Sequence, residues 1–351
     1  MSAKVDLKGK TLKELEKLFV SSGKERFRAR QIFRWIYEKL ETDFSNMTDL
    51  SKSFRRELDE EFFVSRFIPE MERASQDGTV KFLFPLAGGE GIETVFIPDE
   101  ERKTVCLSTQ VGCRMGCVFC ATQQGGFSRN LTSAEIINQV CFIDHFLRHK
   151  GERVTNVVFM GMGEPLDNID ELLKVIRILN SEFAFKIANK RITVSTCGLV
   201  PELKRLITEC DASIAVSINA ATDEMRDELM PVNRKYPMGE LIRCVRELQP
   251  NRNRKVTMEY LLIKGVNDSP KDAVSLARLL SKCRVKVNLI PLNPTSANSF
   301  QCPDVEAIEI FREILVNKGI QTIIRERRGA DIEAACGQLR GKMMRKGKIL
   351  E

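Results

Sequence analysis

A chain of 351 residues exceeds one small domain and suits a barrel-sized catalytic unit with an accessory module. Its 43% hydrophobic and 29% charged residues read as soluble and globular, and no apolar run approaches the roughly 20 residues of a membrane span. A net charge of +7 fits ordinary solubility or a polyanionic partner such as RNA, and two histidines alone argue against histidine-centred catalysis or a histidine-rich zinc site.

Residues 1–67 read as a helical accessory domain. Met1 to Lys10 is charged and has no apolar core, so the expected location is cytoplasmic, where most of the eleven cysteines stay reduced. Thr11 caps a helix with Leu12, Leu15, Leu18 and Phe19 on one face. A second carries Ile32, Phe33, Ile36 and Tyr37 beside Trp35, and a third runs from about Leu50 to Phe62. Basic and aromatic residues interleave here (Lys24, Arg26, Phe27, Arg28, Arg30, Phe33, Arg34), which fits a solvated amphipathic face or an RNA-contacting surface equally well.

Residues 68–103 turn to strands. Asp77-Gly78 is a hairpin signal between Met71–Ala74 and Val80–Phe84, and Ile92–Ile97 holds Glu93 among apolar neighbours. Over residues 104–325 strands alternate with helices. The strands are Val105–Thr109, Asn156–Met160, Arg191–Ser195, Ala212–Ile218, Val256–Ile263 and Lys286–Ile290, with a last one at Gln321–Ile324. The helices lie near Ser133–Arg148, Ile169–Asn180, Val200–Thr208, Met238–Leu248, Lys271–Ser281 and Val305–Asn317. This α/β pattern implies a parallel sheet with helices outside, and six units fit an open, partial barrel better than a closed eightfold one. His145 and His149 lack the His-Glu-x-x-His arrangement and read as surface helix residues. Residues 326–351 form a C-terminal segment whose tail, Gly341 to Lys348, is basic.

The strongest signal is Cys113-Arg-Met-Gly-Cys117-Val-Phe-Cys120, just after the first strand of the barrel. Three thiolates at this spacing can wrap one compact metal centre in a loop loosened by Gly112, Gly116, Gly125 and Gly126. A structural zinc or a four-iron cluster ordinarily takes four protein ligands. Three leave one iron of a cluster open, a site suited to the amino and carboxylate groups of S-adenosylmethionine. The bland readings are a zinc with a distant fourth cysteine, or buried thiols.

After the second strand, Gly161-Met-Gly163-Glu164-Pro165 lets backbone approach a ligand, and Glu164 can accept from an amino group. Ser195, Ser217-Ile218-Asn219 and Asn293 end later strands and point to the same barrel mouth. Each alone reads as a turn or cap residue; together they outline a pocket.

The C-x-x-x-C-x-x-C motif, with Phe119 before its last cysteine, resembles the radical S-adenosylmethionine superfamily. Cys106-Leu-Ser-Thr-Gln-Val-Gly-Cys113, then Gly-Met-Gly-Glu-Pro, then Ala-Ala-Cys336-Gly-Gln-Leu resemble one subfamily, the adenine-C2 RNA methyltransferases RlmN and the related C8 enzyme Cfr. The likeness covers nearly the whole chain. It implies a partial (β/α)6 radical barrel, one [4Fe-4S] cluster on Cys113, Cys117 and Cys120, and two S-adenosylmethionine molecules per turnover. Gly163, Glu164, Ser195, Ser217, Ile218, Asn219 and Asn293 would contact that cofactor. Adenosine 2503 of 23S rRNA and adenosine 37 of certain tRNAs would be the substrates. Cys336 would carry the methyl group, Cys106 would resolve the product through a transient disulfide, and Glu93 would accept a proton. A flavodoxin or ferredoxin would supply electrons to a monomeric enzyme.

Adenine C2 is electron-poor, so displacement from a sulfonium methyl is unsuited to it and a radical route avoids the mismatch; thiol exchange then accounts for two cysteines outside the cluster. One departure is Ser217-Ile218-Asn219, where many relatives carry Ser-Leu-His. Two other readings stand beside this one. A C8 methyltransferase would share every residue named, and a zinc-stabilised RNA-binding protein would use the basic module without catalysis.

Overall fold

The computed structural model describes residues 4–248, 255–295 and 299–341. The basic tail expected after Gly341 lies outside the described residues. Ten strands form one sheet, hydrogen-bonded in strict chain order. Three antiparallel strands come first: β1 (Met71–Ala74), β2 (Val80–Pro85) and β3 (Gly91–Pro98). Seven mutually parallel strands follow: β4 (Lys103–Cys106), β5 (Asn156–Phe159), β6 (Ile192–Thr196), β7 (Ser213–Ser217), β8 (Val256–Leu262), β9 (Val285–Pro291) and β10 (Gln321–Ile324). Six βα units and a closing strand therefore make the open barrel that the alternation implies, and the β1–β3 extension continues its sheet through β3 and β4.

Parallel strands are buried on both faces, so they run as apolar stretches; β8 is buried at every position but Thr257. The helices outside bury apolar residues at helical spacing. Ile169–Asn180 buries Ile169, Leu172, Leu173, Val175, Ile176, Ile178 and Leu179. Thr11 caps its helix as the sequence suggests, and Thr11 and Thr132 each form a reciprocal capping box with the glutamate three residues on.

The helix Ser133–Arg148 ties the parts together. Phe142 packs edge-on against Phe82 and Phe84, each at 5.1 Å, pinning the β-extension to the barrel. On its other side the N-terminal helices dock. Gly9 donates to the Tyr37 hydroxyl at 2.8 Å and lies so close to Ala134 that a Cβ would sit 2.3 Å from its backbone nitrogen. His145 and His149 are exposed on this helix, as a surface reading requires. Among the described residues no helix is long and apolar enough to cross a membrane.

Candidate active site

The cysteine loop is carried by a small hairpin that periodicity did not reveal, Gln110–Gly112 paired with Phe127–Asn130. Gly112 sits at φ +74°, and a Cβ there would lie 1.7 Å from the Gly126 carbonyl oxygen, so only glycine permits the two strands to cross. The loop rests on a second unpredicted element, the helix Asp223–Leu229: Val118 N–H donates to the Leu229 carbonyl at 3.1 Å. That helix is held by Arg226, which is fully buried and spends its guanidinium on the Ile218 and Cys197 carbonyls and Asn233.

Cys113, Cys117 and Cys120 line one cavity of about 180 Å³. Gly163, Glu164, Ser195, Ser217, Asn219, Asn293 and Cys336 line it too. Ile218 does not. It is fully buried, its N–H bonds to the Glu259 carbonyl and its own carbonyl accepts from Arg226.

Burial raises all three thiols, Cys113 to about 12 and Cys117 well above its ordinary value. A cationic centre is what such a group of apolar-walled sulfurs lacks, and a cluster supplies it. Three cysteines on one loop, all lining one cavity, leave one iron of a four-iron cluster without a protein ligand, so the donor set fits such a cluster.

The pocket wall fits an amino-acid-like ligand. Gly163 has φ +95°, and a Cβ would meet Gln110 Cβ at 2.5 Å. Glu164 is buried and accepts from the Cys197 N–H at 2.9 Å and the Leu166 N–H at 3.1 Å; burial nonetheless raises its carboxyl above the usual value. Asn293 donates to the Cys336 carbonyl at 3.3 Å and keeps a buried Oδ1 without a partner among the described residues. Asn219 holds φ +52°, accepts from the Leu261 N–H at 2.9 Å and donates to Met230 Sδ at 3.3 Å, so its amide braces the strand ends.

Sequence reasoning missed two central residues. Glu259 on β8 is 4% exposed and accepts from Ser195 Oγ at 2.6 Å and Ser217 Oγ at 3.3 Å. Its other oxygen faces Arg325, just beyond β10, at 3.6 Å. A carboxylate inside an apolar strand was the available signal, the same one that marks Glu93.

The C-terminal segment brings Cys336 into the cavity. Gly329 N–H donates to Asp77 Oδ2 at 2.8 Å, Lys81 Nζ to the Glu333 carbonyl at 2.9 Å, and Ala121 N–H to the Gly337 carbonyl at 2.8 Å. Cys106 lies in the adjoining cavity, which Cys336 also lines, and both are free thiols. Burial, then the charge of Cys336, pushes Cys106 up to about 12. Glu93 lines neither cavity: its carboxylate is 3.1 Å from Lys81 Nζ and accepts from the Arg340 N–H at 2.7 Å.

Residues 5–64 match the ribosomal RNA large subunit methyltransferase N-terminal domain, and residues 107–277 match the radical SAM superfamily. The chain is 48% identical over 340 residues to the dual-specificity RNA methyltransferase RlmN of Geotalea uraniireducens, covering 97% of this chain and 98% of that one. It belongs to the RlmN family. The RlmN of Geobacter sulfurreducens is also 48% identical, over 98% of this chain and 94% of its own. A crystal structure of a radical SAM methyltransferase from Sphaerobacter thermophilus superposes with a TM-score of 0.92 at 46% identity, covering 96% of this chain and all of that one. As a radical SAM protein of the RlmN family, the chain works with a [4Fe-4S] cluster and S-adenosylmethionine.

Proposed function

We propose that this protein methylates C2 of an adenosine in 23S rRNA, and of an adenosine in tRNA, through a methyl group carried on Cys336. The observation that carries this reading is the meeting of Cys336, from the far end of the chain, with the cysteine triad in one cavity. Bound at Cys113, Cys117 and Cys120, the cluster would supply the electron that cleaves S-adenosylmethionine and so opens a radical route to an electron-poor carbon.

The chain's own residues do the rest. Glu164 and Asn293 present acceptor oxygens to the amino group of the cofactor, and Gly163 keeps the wall clear for its backbone-like end. The sulfur of Cys336 accepts the methyl, with Arg325 as the neighbouring positive charge. To release the product, the Cys106 thiolate attacks the Cys336 sulfur. An S–S bond forms, the S–C bond breaks with its electron pair going to the carbon, which takes up a proton and becomes the methyl group of the base, and an external thiol later returns two electrons to the disulfide. Glu93 acts as proton acceptor once the Arg340–Gly341 backbone releases its carboxylate. The basic face of the helix Arg26–Tyr37, with Phe27 exposed, contacts RNA. The enzyme acts as a cytoplasmic monomer fed by flavodoxin or ferredoxin.

Cluster-reconstituted protein incubated with S-adenosylmethionine, a reductant and a 23S rRNA fragment should yield 2-methyladenosine by mass spectrometry of the digested RNA. The product should vanish in Cys336→Ala. Appearance of 8-methyladenosine instead would retain the carrier mechanism and overturn the carbon assignment.

A further inference from the structure

We propose that the target nucleotide occupies a second cavity, on the opposite side of Cys336 from the cluster cysteines, and that Asn288 reads its base; this rests on the RNA-methylating function proposed above. The two cavities adjoin and share Met160, Ile290, Asn293, Arg325, Cys336 and Leu339. The cofactor cavity is lined by residues at or after the ends of β5, β6 and β7, such as Gly163, Cys197 and Asn219. The second reaches from the starts of β4, β5 and β6 (Thr104, Asn156 and Thr193) to the ends of β9 and β10 (Pro291 and Ile324). Its volume of about 560 Å³ exceeds that of the first and suits a small-molecule or nucleotide site.

The wall between them is informative. Cys336 is the one cysteine that lines both cavities, whereas Cys106 lines the second alone and the triad the first alone. A carrier must be loaded at one site and discharged at another, so the thiol common to both is placed for that task. A base in the second cavity would have Cys336 and Cys106 at hand, while one in the first would compete with the cofactor for space.

The second cavity also has the chemistry of a nucleotide site. Among the described residues five arginines line it (Arg102, Arg191, Arg325, Arg327 and Arg328) against two carboxylates, Asp99, paired with Arg102, and Glu326, paired with Arg328. Arg102, Arg191 and Arg327 are exposed at its rim, where phosphates flanking an extruded nucleotide would lie. Deeper in, Asn288 is 9% exposed, and its Oδ1 has no hydrogen-bond partner among the described residues. An amide offers one donor and one acceptor, which matches the paired acceptor and amino donor along an adenine edge.

The test uses cluster-reconstituted Asn288→Leu and the rim double variant Arg102→Gln/Arg191→Gln. Two readouts separate the cavities: methylation of Cys336 by S-adenosylmethionine without RNA, followed by intact-protein mass, and methylation of an rRNA fragment. Asn288→Leu should lower kcat/KM on RNA by about tenfold to a hundredfold, the discrimination of one bidentate contact. The rim variant should raise KM and flatten its dependence on salt by about 0.7 to 0.9 per lost phosphate contact on a log–log plot. Both should still methylate Cys336 at the wild-type rate, which also reports an intact fold. RNA methylation within twofold of wild type in both variants would overturn the proposal. So would a parallel fall in Cys336 methylation, because the second cavity would then serve the cofactor. Wild-type protein that methylates Cys336 but no RNA adenosine would instead defeat the function on which the proposal rests.

Discussion

Glu259→Ala should destabilise the protein by about 3 kcal/mol. The carboxylate is 4% exposed and is the shared acceptor for two serine hydroxyls and the counter-ion of Arg325. Removing one partner of a buried ion pair costs about 3–5 kcal/mol, because the remaining charge stays out of water. Arg325 keeps 28% of its side chain exposed, which draws the figure to the low end of that range. Ser195 and Ser217 face the cavity, where water can replace the lost acceptor, so they add little. Glu259→Gln keeps an acceptor for Ser195 and loses only the charge, and should cost about 1.5–2 kcal/mol, the low end of the range for a charged hydrogen bond. The assay is urea unfolding followed by circular dichroism, comparing midpoints at a common slope. A double-mutant cycle with Arg325→Met should return a coupling of about 0.5–3 kcal/mol. Glu259→Ala within 1 kcal/mol of wild type, together with no coupling to Arg325, would show that this carboxylate does not organise the centre of the barrel.

Two further outcomes concern the elements that frame the cavity. Burial opposes the charge of Asp77, but hydrogen bonds from Thr79, the Gly329 N–H and Ser75 outweigh it and bring the carboxyl from 3.8 to about 2. Its contribution is therefore complete above pH 3.8 and lost as pH falls through about 2, so the stability difference between wild type and Asp77→Asn in urea should be constant from pH 7 to about 4 and shrink below that. Gly163→Ala puts a Cβ 2.5 Å from Gln110 at φ +95° and displaces the side chain that accepts the Glu164 N–H at 2.8 Å; calorimetry should find cofactor affinity reduced by about tenfold or more.

The sequence alone determined what depends on near neighbours. The cysteine spacing defines a loop that can wrap a cluster, and its glycines at 112, 116 and 126 all take positive φ. Alternating apolar strands and capped helices specified the open barrel, because burial on both faces and helix ends leave local marks. The element at Asp223–Leu229 left no such mark. It is a short helix of mixed polarity, and what holds it is Arg226 reaching carbonyls on other segments. The same limit applies to the site. Ser195, Ser217 and Asn293 are legible as residues that end strands, yet that two of them bond to Glu259 follows from three strands lying side by side in register. Only the tertiary structure decided that Cys336 lines both cavities, that Ile218 lies outside them, and that Glu93 bonds to the Arg340–Gly341 backbone. Those arrangements come from contacts between residues distant in the chain, whose energies depend on position in space and leave no periodic trace along the sequence.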